Sequence, residues 1–300
     1  MGMAQLLRIP RFSNVFGNGQ HGTAVPPASP LASDRYNTRL TIPAGFTYQT
    51  DNFGLFASET LILGGTLRNN GLPGGPAVGA VGGGAGVGVN SLALGSTFGS
   101  SMDGGAGING AGGAGGPGVD SPLCLHDGTY LFCTGGAGGA GQGAAAGGAG
   151  GTFTKAIICP GNGVNTEVNL PAAEFFGLFN LINGGAGGGA GGGGTVGGSG
   201  GGGGGGGVIL VCARTLVLQA TAVLEAIGGD GGPGDTVGAD DGGGGGGGGA
   251  GGRIFLVYEQ LYDYGALFDV DGGLGGVKGS ASAGDGVAGN RGSISLIRLI

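Results

Sequence analysis

Acidic side chains cluster in one glycine-rich stretch of the chain, and oxygen ligands on flexible loops are what calcium prefers. The cluster consists of Asp230, Asp235, Asp240 and Asp241. Its first part, 228–232, approaches the nonapeptide of calcium-binding β-rolls but does not match it. Solvated turn acids are the simpler interpretation, and the same holds for Asp263, Asp269 and Asp271. The sequence therefore predicts no metal site.

Residues that could serve as nucleophile and base are few. His21 and His126 are the two histidines, and neither accompanies a recognisable nucleophile motif. The stretch 197–200, Gly-Gly-Ser-Gly, lacks the spacing and context of a nucleophile elbow. No Walker lysine follows any of the glycine runs that could mimic a phosphate-binding loop. We expect no catalytic site, no cofactor and a protein that is not an enzyme.

The four cysteines stand at positions 124, 133, 159 and 212, and their spacing fits no zinc motif. Cys124 and Cys133 flank LHDGTYLF, which is typical of a hairpin with Asp127-Gly128 at its turn. A disulfide across this hairpin is one alternative, and two reduced, half-buried cysteines are the other. We favour the reduced pair, and we interpret His126 as a turn residue.

Composition limits the kinds of protein that the chain can be. Glycine accounts for 87 of the 300 residues, about four times its usual share of roughly 7%. The charged fraction is only 10% and the hydrophobic fraction is 40%, which argues against a disordered chain. The net charge of −7 and the lack of a basic patch argue against nucleic-acid binding. We find no run of 18 apolar residues, so we expect no membrane helix, and no signal-peptide pattern.

Short apolar runs separated by turn residues predict β-strands. The early runs are 40–42, 46–48, 55–57 and 60–63, and the stronger ones are 208–227, 253–270 and 292–300. None of them shows a helical stripe. One exception is PAAEFFGLFNLI (171–182), which predicts a short helix that begins at Pro171. The expected fold class is therefore mostly β and irregular, with almost no α-helix.

The strand blocks are related to each other. ILV at 209–211 matches FLV at 255–257 with a spacing of 46, and TLVL at 215–218 matches TLIL at 60–63. ATAVLEAIGGDGG echoes GGTLRNNGLPGG. A repeat of strand, turn, strand and glycine excursion is typical of stacked or coiled sheets, in which each unit buries its apolar face on its neighbours.

The glycine tracts have a three-residue period, most clearly at 135–152, GGA-GGA-GQG-AAA-GGA-GGT. The tracts are 71–90, 103–119, 134–151, 184–207, 228–252 and 271–290. This period predicts polyglycine II helices, which have three residues per turn and no internal hydrogen bonds. Their outward-pointing backbone groups can pair with neighbouring helices, and only glycine permits such close approach. We expect a packed bundle, with solvated flexible linkers as the alternative.

The chain divides into an N-terminal arm (1–38), a β-strand base (39–70) and a glycine-rich repeat region (71–300). Prolines favour an extended path for the arm. We interpret the arm as a segment that docks on a virion partner or on a neighbouring copy; an ordinary N-terminus packed on its own domain is the alternative. The residues expected to dock are Leu6, Leu7, Ile9, Phe12, Val15 and Phe16.

Three segments (37–71, 200–232 and 245–273) resemble glycine-rich bacteriophage virion proteins, in which short strands alternate with glycine runs. Some of those proteins are adhesins at the tips of long tail fibres, with a polyglycine II sandwich whose end loops touch the host receptor. The resemblance implies a structural protein on the virion surface, with virion proteins, copies of itself and a host receptor as partners. The resemblance identifies no receptor-binding residue in this chain. Those adhesins often carry aromatic-rich loops, whereas aromatic residues make up only 6% of this chain and tryptophan is absent.

Three roles follow as expectations. The first is a tail-fibre, spike or receptor-binding component anchored by the arm, and the second is a capsid decoration or head-fibre protein. The third is a bacterial glycine-rich surface protein, because the GGAGGA triplets resemble the glycine-rich repeat domains of mycobacterial surface proteins. The helical N-terminal domain of those proteins is missing here. The longest non-glycine insertions, 92–98, 123–132 and 153–183, are the loops expected to make contacts.

Overall fold

The computed structural model describes most of the chain. The described residues are 15–24, 30–89, 101–121, 124–126, 134–142, 145–152, 156–158, 165–169, 183–236 and 241–299. Within them there is no α-helix, so no helix long and apolar enough to cross a membrane. The mostly β, non-helical fold class is confirmed for this part of the chain. The predicted helix at 171–182 lies outside the described residues, as do most of the three insertions.

Thirteen strands are described, and those predicted from the apolar runs are confirmed, with 55–57 and 60–63 joined into one strand. They are β1 (Thr23–Ala24), β2 (Arg35–Ile42), β3 (Thr47–Gln49), β4 (Leu55–Leu63), β5 (Thr66–Arg68), β6 (Cys124–His126), β7 (Ala156–Ile158), β8 (Asn165–Asn169), β9 (Val208–Leu218), β10 (Val223–Glu225), β11 (Arg253–Asp263), β12 (Leu267–Asp269) and β13 (Ser293–Arg298). The backbone of β6 pairs in parallel with β7; the rest of the predicted Cys124–Cys133 hairpin lies outside the described residues.

Two parallel sheets pack together, and the chain winds between them so that a long strand of the large sheet is followed by a short strand of the small sheet. We call this wound pair of sheets the coil. The large sheet has the order β1-β2-β4-β9-β11-β13-β8, and the small sheet has the order β12-β10-β5-β3. The four strands of the small sheet are therefore the short strands that come directly after β11, β9, β4 and β2 in the chain. Strand β4, from the predicted base, pairs with β9, from the predicted repeat region.

The long strands bend part-way along. In β9 the side chains that enter the core are Ile209, Val211 and Ala213, and then Leu216 and Leu218. The spacing of two becomes three at this point, where the register between β4 and β9 also shifts. A bulge of this kind bends a strand and changes which face it presents. The bend lets one strand wrap two sides of the same core.

The predicted repeats set the strand register, with one correction. Thr60 pairs with Thr215 and Leu63 with Leu218, which confirms the match between TLIL and TLVL. The match between 209–211 and 255–257 is wrong by one residue, because Ile209 pairs with Ile254 at a spacing of 45. A slip of one residue would turn every side chain to the opposite face, and both isoleucines are buried in the same core.

Apolar side chains fill two regions on either side of the large sheet. The inner core lies within the coil and includes Leu61, Leu67, Leu216, Leu224 and Ile254. The outer cluster covers the other face of the sheet and includes Phe56, Leu210, Phe255 and Ile297. Because both faces of its central strands are buried, β9 begins with the continuous apolar run VILVCA, as parallel strands do.

Between the strands, the chain makes straight glycine segments that we call the glycine lattice. In chain order segments 1 to 12 are 71–78, 81–89, 101–110, 113–121, 134–141, 145–152, 184–194, 197–207, 226–236, 242–252, 270–279 and 284–292. Strands β5, β10 and β12 lead into segments 1, 9 and 11. Segments 8, 10 and 12 lead into β9, β11 and β13. The coil and the lattice are thus joined at one end of the lattice.

Hydrogen bonds between the segments recur every three residues. Segment 7 donates the N–H groups of Gly185, Gly188, Gly191 and Gly194 to the carbonyls of Gly206, Gly203, Gly200 and Gly197 in segment 8, at 2.8–3.0 Å. The residues in between donate to other segments. Gly203, Gly204 and Gly205, for example, donate to Gly247, Leu72 and Met102, which belong to segments 10, 1 and 3. The backbone of one segment is therefore satisfied by several neighbours at once.

Three segments form the centre of the lattice. Segments 7, 8 and 10 bond to one another: Gly188 donates to Gly203, Gly203 to Gly247, and Gly247 to Gly189. The remaining segments form a closed hydrogen-bonded ring around them in the order 1-2-3-4-6-5-12-11-9. Each central segment consequently bonds to six neighbours, which is hexagonal packing. Their sequences fit this position, because 29 of the 33 residues in 184–194, 197–207 and 242–252 are glycine, and all 33 are buried.

Candidate functional site: the tips of the glycine lattice

The end of the lattice that is remote from the coil consists of tight turns, which we call the tips. Each tip joins two consecutive segments, and the described ones are 79–80, 111–112, 195–196 and 280–283. The tips at 142–144 and 237–240 are described only in part or not at all. Gly79 and Gly112 have φ values of 59° and 71°, a left-handed conformation that favours glycine.

Backbone hydrogen bonds gather the tips on one surface. The Gly110 N–H donates to Ala80 O at 2.8 Å, and the Gly198 N–H donates to Gly79 O at 2.9 Å. Both Ala111 and Gly112 donate to the carbonyl of Gly194. The tips of segment pairs 1–2, 3–4 and 7–8 therefore form one connected surface, held by backbone groups rather than by side chains.

Small apolar side chains project from the tips into solvent. Val78 and Val81 flank the first tip and are 71% and 62% exposed. Val196 at the tip of segments 7 and 8 and Val277 near the end of segment 11 are exposed as well. Because the backbone beneath them is locked in a lattice, these side chains are held in fixed positions, as a binding surface requires.

Polar groups lie between the exposed valines. The Asn109 side-chain oxygen accepts the Gly82 N–H at 2.9 Å, and the Thr195 hydroxyl bonds to the Asp241 carboxylate. The Asp285 carboxylate accepts the Lys278 N–H at 2.9 Å. The first two contacts connect neighbouring tips, and the third closes the tip at 280–283. Together they leave a surface of methyl groups, hydroxyls and carboxylates.

The acidic cluster is divided between structural contacts. Asp230 accepts the Leu274 N–H at 2.7 Å and so joins segment 9 to segment 11, whereas Asp241 bonds to Thr195. Asp240 lies outside the described residues. Asp263 accepts the N–H groups of Gly265 and Ala266 at a turn, and Asp271 pairs with Arg291 at 3.0 Å. In the described part of the chain, no three histidine, cysteine or acidic residues are grouped to hold a metal.

The residues expected to dock fall into two groups. Val15 and Phe16 are buried in the outer cluster, together with Phe56 and Leu210 of the chain itself. For these two residues the contacts are those of an N-terminus packed on its own domain. Leu6, Leu7, Ile9 and Phe12 lie outside the described residues. Docking therefore stays a prediction for Leu6, Leu7, Ile9 and Phe12.

The residues considered for catalysis have structural roles where they are described. Ser199 is buried in central segment 8, and its hydroxyl accepts the Ile108 N–H at 2.8 Å. The His21 ring nitrogen Nδ1 accepts the Tyr36 N–H at 2.9 Å. Cys212 is a free thiol within the outer cluster, where burial raises its pKa well above the usual value. The side chain of His126 lies outside the description.

Tyr36 gives the fold a dependence on high pH. Burial raises its pKa to about 12, and the charge of Asp34 and the 3.2 Å bond from the Tyr36 hydroxyl to Asp34 act in the same direction. A raised pKa means that folding favours the neutral phenol. Its contribution to stability is therefore complete below the unfolded pKa of about 10 and is lost as the pH rises through the folded value.

We expect the difference in unfolding free energy between the parent and Tyr36→Phe to shrink from pH 9 to pH 11.5. Denaturant unfolding at both pH values measures it. Tyr264→Phe, at an exposed position, is the control and should follow the parent at both. An unchanged gap between the parent and Tyr36→Phe would contradict the assignment.

The tips themselves are not among the loops that sequence reasoning selected. The feature of the sequence that could have identified the tips is the length of the short interruptions within the glycine tracts. A break of two residues, such as Thr195-Val196 within 184–207, produces a tight turn between antiparallel segments. The long insertions drew attention instead because of their size.

No protein family, no curated protein and no solved structure matches this chain. Evidence for the function therefore comes from the geometry of the lattice and its tips.

Proposed function

We propose that the chain is a structural surface protein of a bacteriophage virion, anchored by its N-terminal arm, whose lattice is a bundle of polyglycine II helices. The observation that supports the bundle is the three-residue period of its hydrogen bonds, with different neighbours for successive residues. Polyglycine II has three residues per turn and no internal hydrogen bonds, so each turn offers its groups to several neighbours.

Mechanically, such a bundle is a rigid spacer. A segment of 11 residues spans about 34 Å at roughly 3.1 Å per residue. Its backbone groups are satisfied by other segments, so a central segment cannot bend without breaking bonds to its neighbours. The bundle thus holds the tips away from the coil and fixes their mutual positions. This arrangement suits a protein that must present a small surface to an outside partner.

Attachment to the host, as a tail-fibre, spike or receptor-binding component, is the role we favour. The exposed valines at the tips support it, because exposed apolar groups on a rigid end form a contact surface. On this proposal the protein acts by binding and has no enzymatic activity. Capsid decoration or a head fibre is the second role, and a bacterial glycine-rich surface protein is the third.

A binding experiment with purified full-length protein tests the role. The protein is offered separately to susceptible host cells and to phage particles that lack it. We expect binding to the cells and inhibition of phage adsorption. Binding to the particles alone would assign the protein to decoration of the virion and would remove the tips from host recognition.

A pair of variants tests whether the tips make the contact. Val78→Asp and Val81→Asp place a charge at the first tip and are expected to reduce the inhibition of adsorption by about tenfold or more, as loss of an interface anchor does. Val87→Asp is the matched control, because Val87 is also exposed on segment 2 but lies away from the tip. Equal loss of inhibition in all three variants would contradict a tip-specific contact.

A further inference from the structure

The small sheet has one closed edge and one open edge. At β3, the Leu31 N–H donates to Gln49 O at 3.0 Å, and the Leu31 side chain is buried in the inner core. At the other edge, β12 pairs only with β10 among the described strands. The outer edge of β12 therefore offers backbone groups of the kind that pair with an added strand.

The core beneath this edge is incompletely covered. Leu261, Ala266 and Phe268 pack against the inner core but are only partly buried, and Leu267 is 60% exposed. Beside them a groove of about 400 Å³ runs along β11 where β13 has ended at Arg298. An additional strand would complete the coil here, as each short strand does for the previous one.

Charge defines what kind of strand the edge accepts. Glu225 and Asp269 lie directly opposite each other in β10 and β12, and like charges in that position are unfavourable. On its other side, Glu225 is balanced by Arg68, whose Nε lies 2.7 Å from its carboxylate. Asp269 has no such basic neighbour on the outer side among the described residues. A basic residue level with Asp269 would repeat the Arg68–Glu225 pair.

The N-terminal arm contains a segment of the required pattern. In the small sheet, Thr66-Leu67-Arg68 pairs with Val223-Leu224-Glu225, with the two leucines directed inward. Leu6-Leu7-Arg8 repeats this pattern, with leucine in the middle and arginine at the end. Placed in parallel against Leu267-Phe268-Asp269, it would set Leu7 beside Phe268 and Arg8 beside Asp269.

We propose that the arm of a second copy adds to β12 as a parallel strand, with Leu6-Leu7-Arg8 in register with Leu267-Phe268-Asp269. A second copy is the occupant because Val15 and Phe16, where the arm joins the fold, pack on the outer face of the large sheet. Strand β12 belongs to the small sheet, across the inner core. The proposal concerns the purified protein and does not rest on its proposed place in a virion.

Charge exchange between full-length chains tests the proposal by sedimentation velocity over a wide concentration range. We expect the parent to associate, and Arg8→Glu and Asp269→Arg each to associate about tenfold or more weakly, because like charges then meet at the contact. Arg11→Glu makes the same charge change elsewhere in the arm and should behave as the parent. Leu267→Glu, which removes no hydrogen bond, should weaken association as well.

A mixture of Arg8→Glu and Asp269→Arg tests whether residues 8 and 269 meet between two copies of the chain. Each variant alone brings like charges together, whereas in the mixture the arm of Arg8→Glu meets the β12 strand of Asp269→Arg with opposite charges, so association should return. Its return also shows that both variants are folded. A monomeric parent, or a mixture that stays monomeric, would overturn the proposal. A further variant carries both Arg8→Glu and Asp269→Arg in one chain. If it were monomeric and more thermally stable than either single variant, the arm would bind its own chain, and the second copy would be excluded.

Discussion

Replacing Gly203 with alanine is expected to lower the free energy of unfolding by about 3 kcal/mol or more, at the upper end of the cost of overpacking a core. Gly203 lies in central segment 8, and an added Cβ would overlap the carbonyl oxygen of Gly229. That oxygen belongs to the backbone of segment 9, so it cannot rotate away as a side chain would. Denaturant unfolding followed by circular dichroism measures the change.

Gly84→Ala is the matched control, on segment 2 of the same lattice. A Cβ at Gly84 meets no atom within 4 Å, and Gly84 is exposed. Restricting the unfolded chain then stabilises the protein by about 0.4–1 kcal/mol, so the two substitutions should have opposite signs. Equal effects at both positions would mean that the central segments are not closely packed. Alanine is tolerated at the centre only where space exists, as at the buried Ala186, Ala190 and Ala250.

Local sequence patterns were sufficient to predict most strands of the two main sheets. The apolar runs predicted the principal strands, and the match of TLIL with TLVL related two segments that pair in register in β4 and β9. These predictions succeeded because β-branched runs, turn residues and a repeated unit act within a few residues. The three-residue period in the glycine tracts likewise agrees with the three-residue period of their hydrogen bonds.

The arrangement of the segments could not be predicted in the same way. Which segment lies at the centre depends on contacts between residues far apart in the chain, such as Gly75 with Gly201. One sequence feature does mark the centre once the structure is known: segments 7, 8 and 10 contain only glycine, alanine and serine, whereas most outer segments carry larger side chains. Leu274 and Val277 on segment 11, three residues apart and exposed, are examples.

The junction between coil and lattice was also not predicted, because its residues are ordinary turn residues in the sequence. Asn52 and Asn69 follow β3 and β5 and are completely buried. Asparagine after a strand usually indicates a solvated turn, so nothing local distinguishes these two. Asn52 also has a φ of 64°, which asparagine tolerates better than most residues. Their role depends on Val208, more than a hundred residues away in the chain.

Replacing Asn69 with leucine is expected to destabilise the protein by about 2–4 kcal/mol, since each buried polar group left unpaired costs about 1–3 kcal/mol. The Asn69 side-chain amide donates to Asn52 Oδ1 at 2.8 Å and to Val208 O at 2.7 Å. Asn52 Oδ1 also accepts the Val208 N–H at 2.9 Å. The two asparagines thus hold the first residue of β9 in the position where the lattice ends and the coil begins.

Asn109→Leu is the control for this substitution, because the Asn109 side chain also bonds the backbone, where its oxygen accepts the Gly82 N–H, but it does so at an exposed position beside a tip. Water replaces the lost bond there, so a change below about 1 kcal/mol is expected. Hydrogen exchange adds a spatial test. In Asn69→Leu the amides at the start of β9 should lose protection first, since the two Asn69 bonds that connect them to the end of β5 are gone, while the tips should exchange as in the parent. Uniform loss of protection throughout the lattice would instead mean that coil and lattice unfold as one unit and that the junction is not a separate anchor.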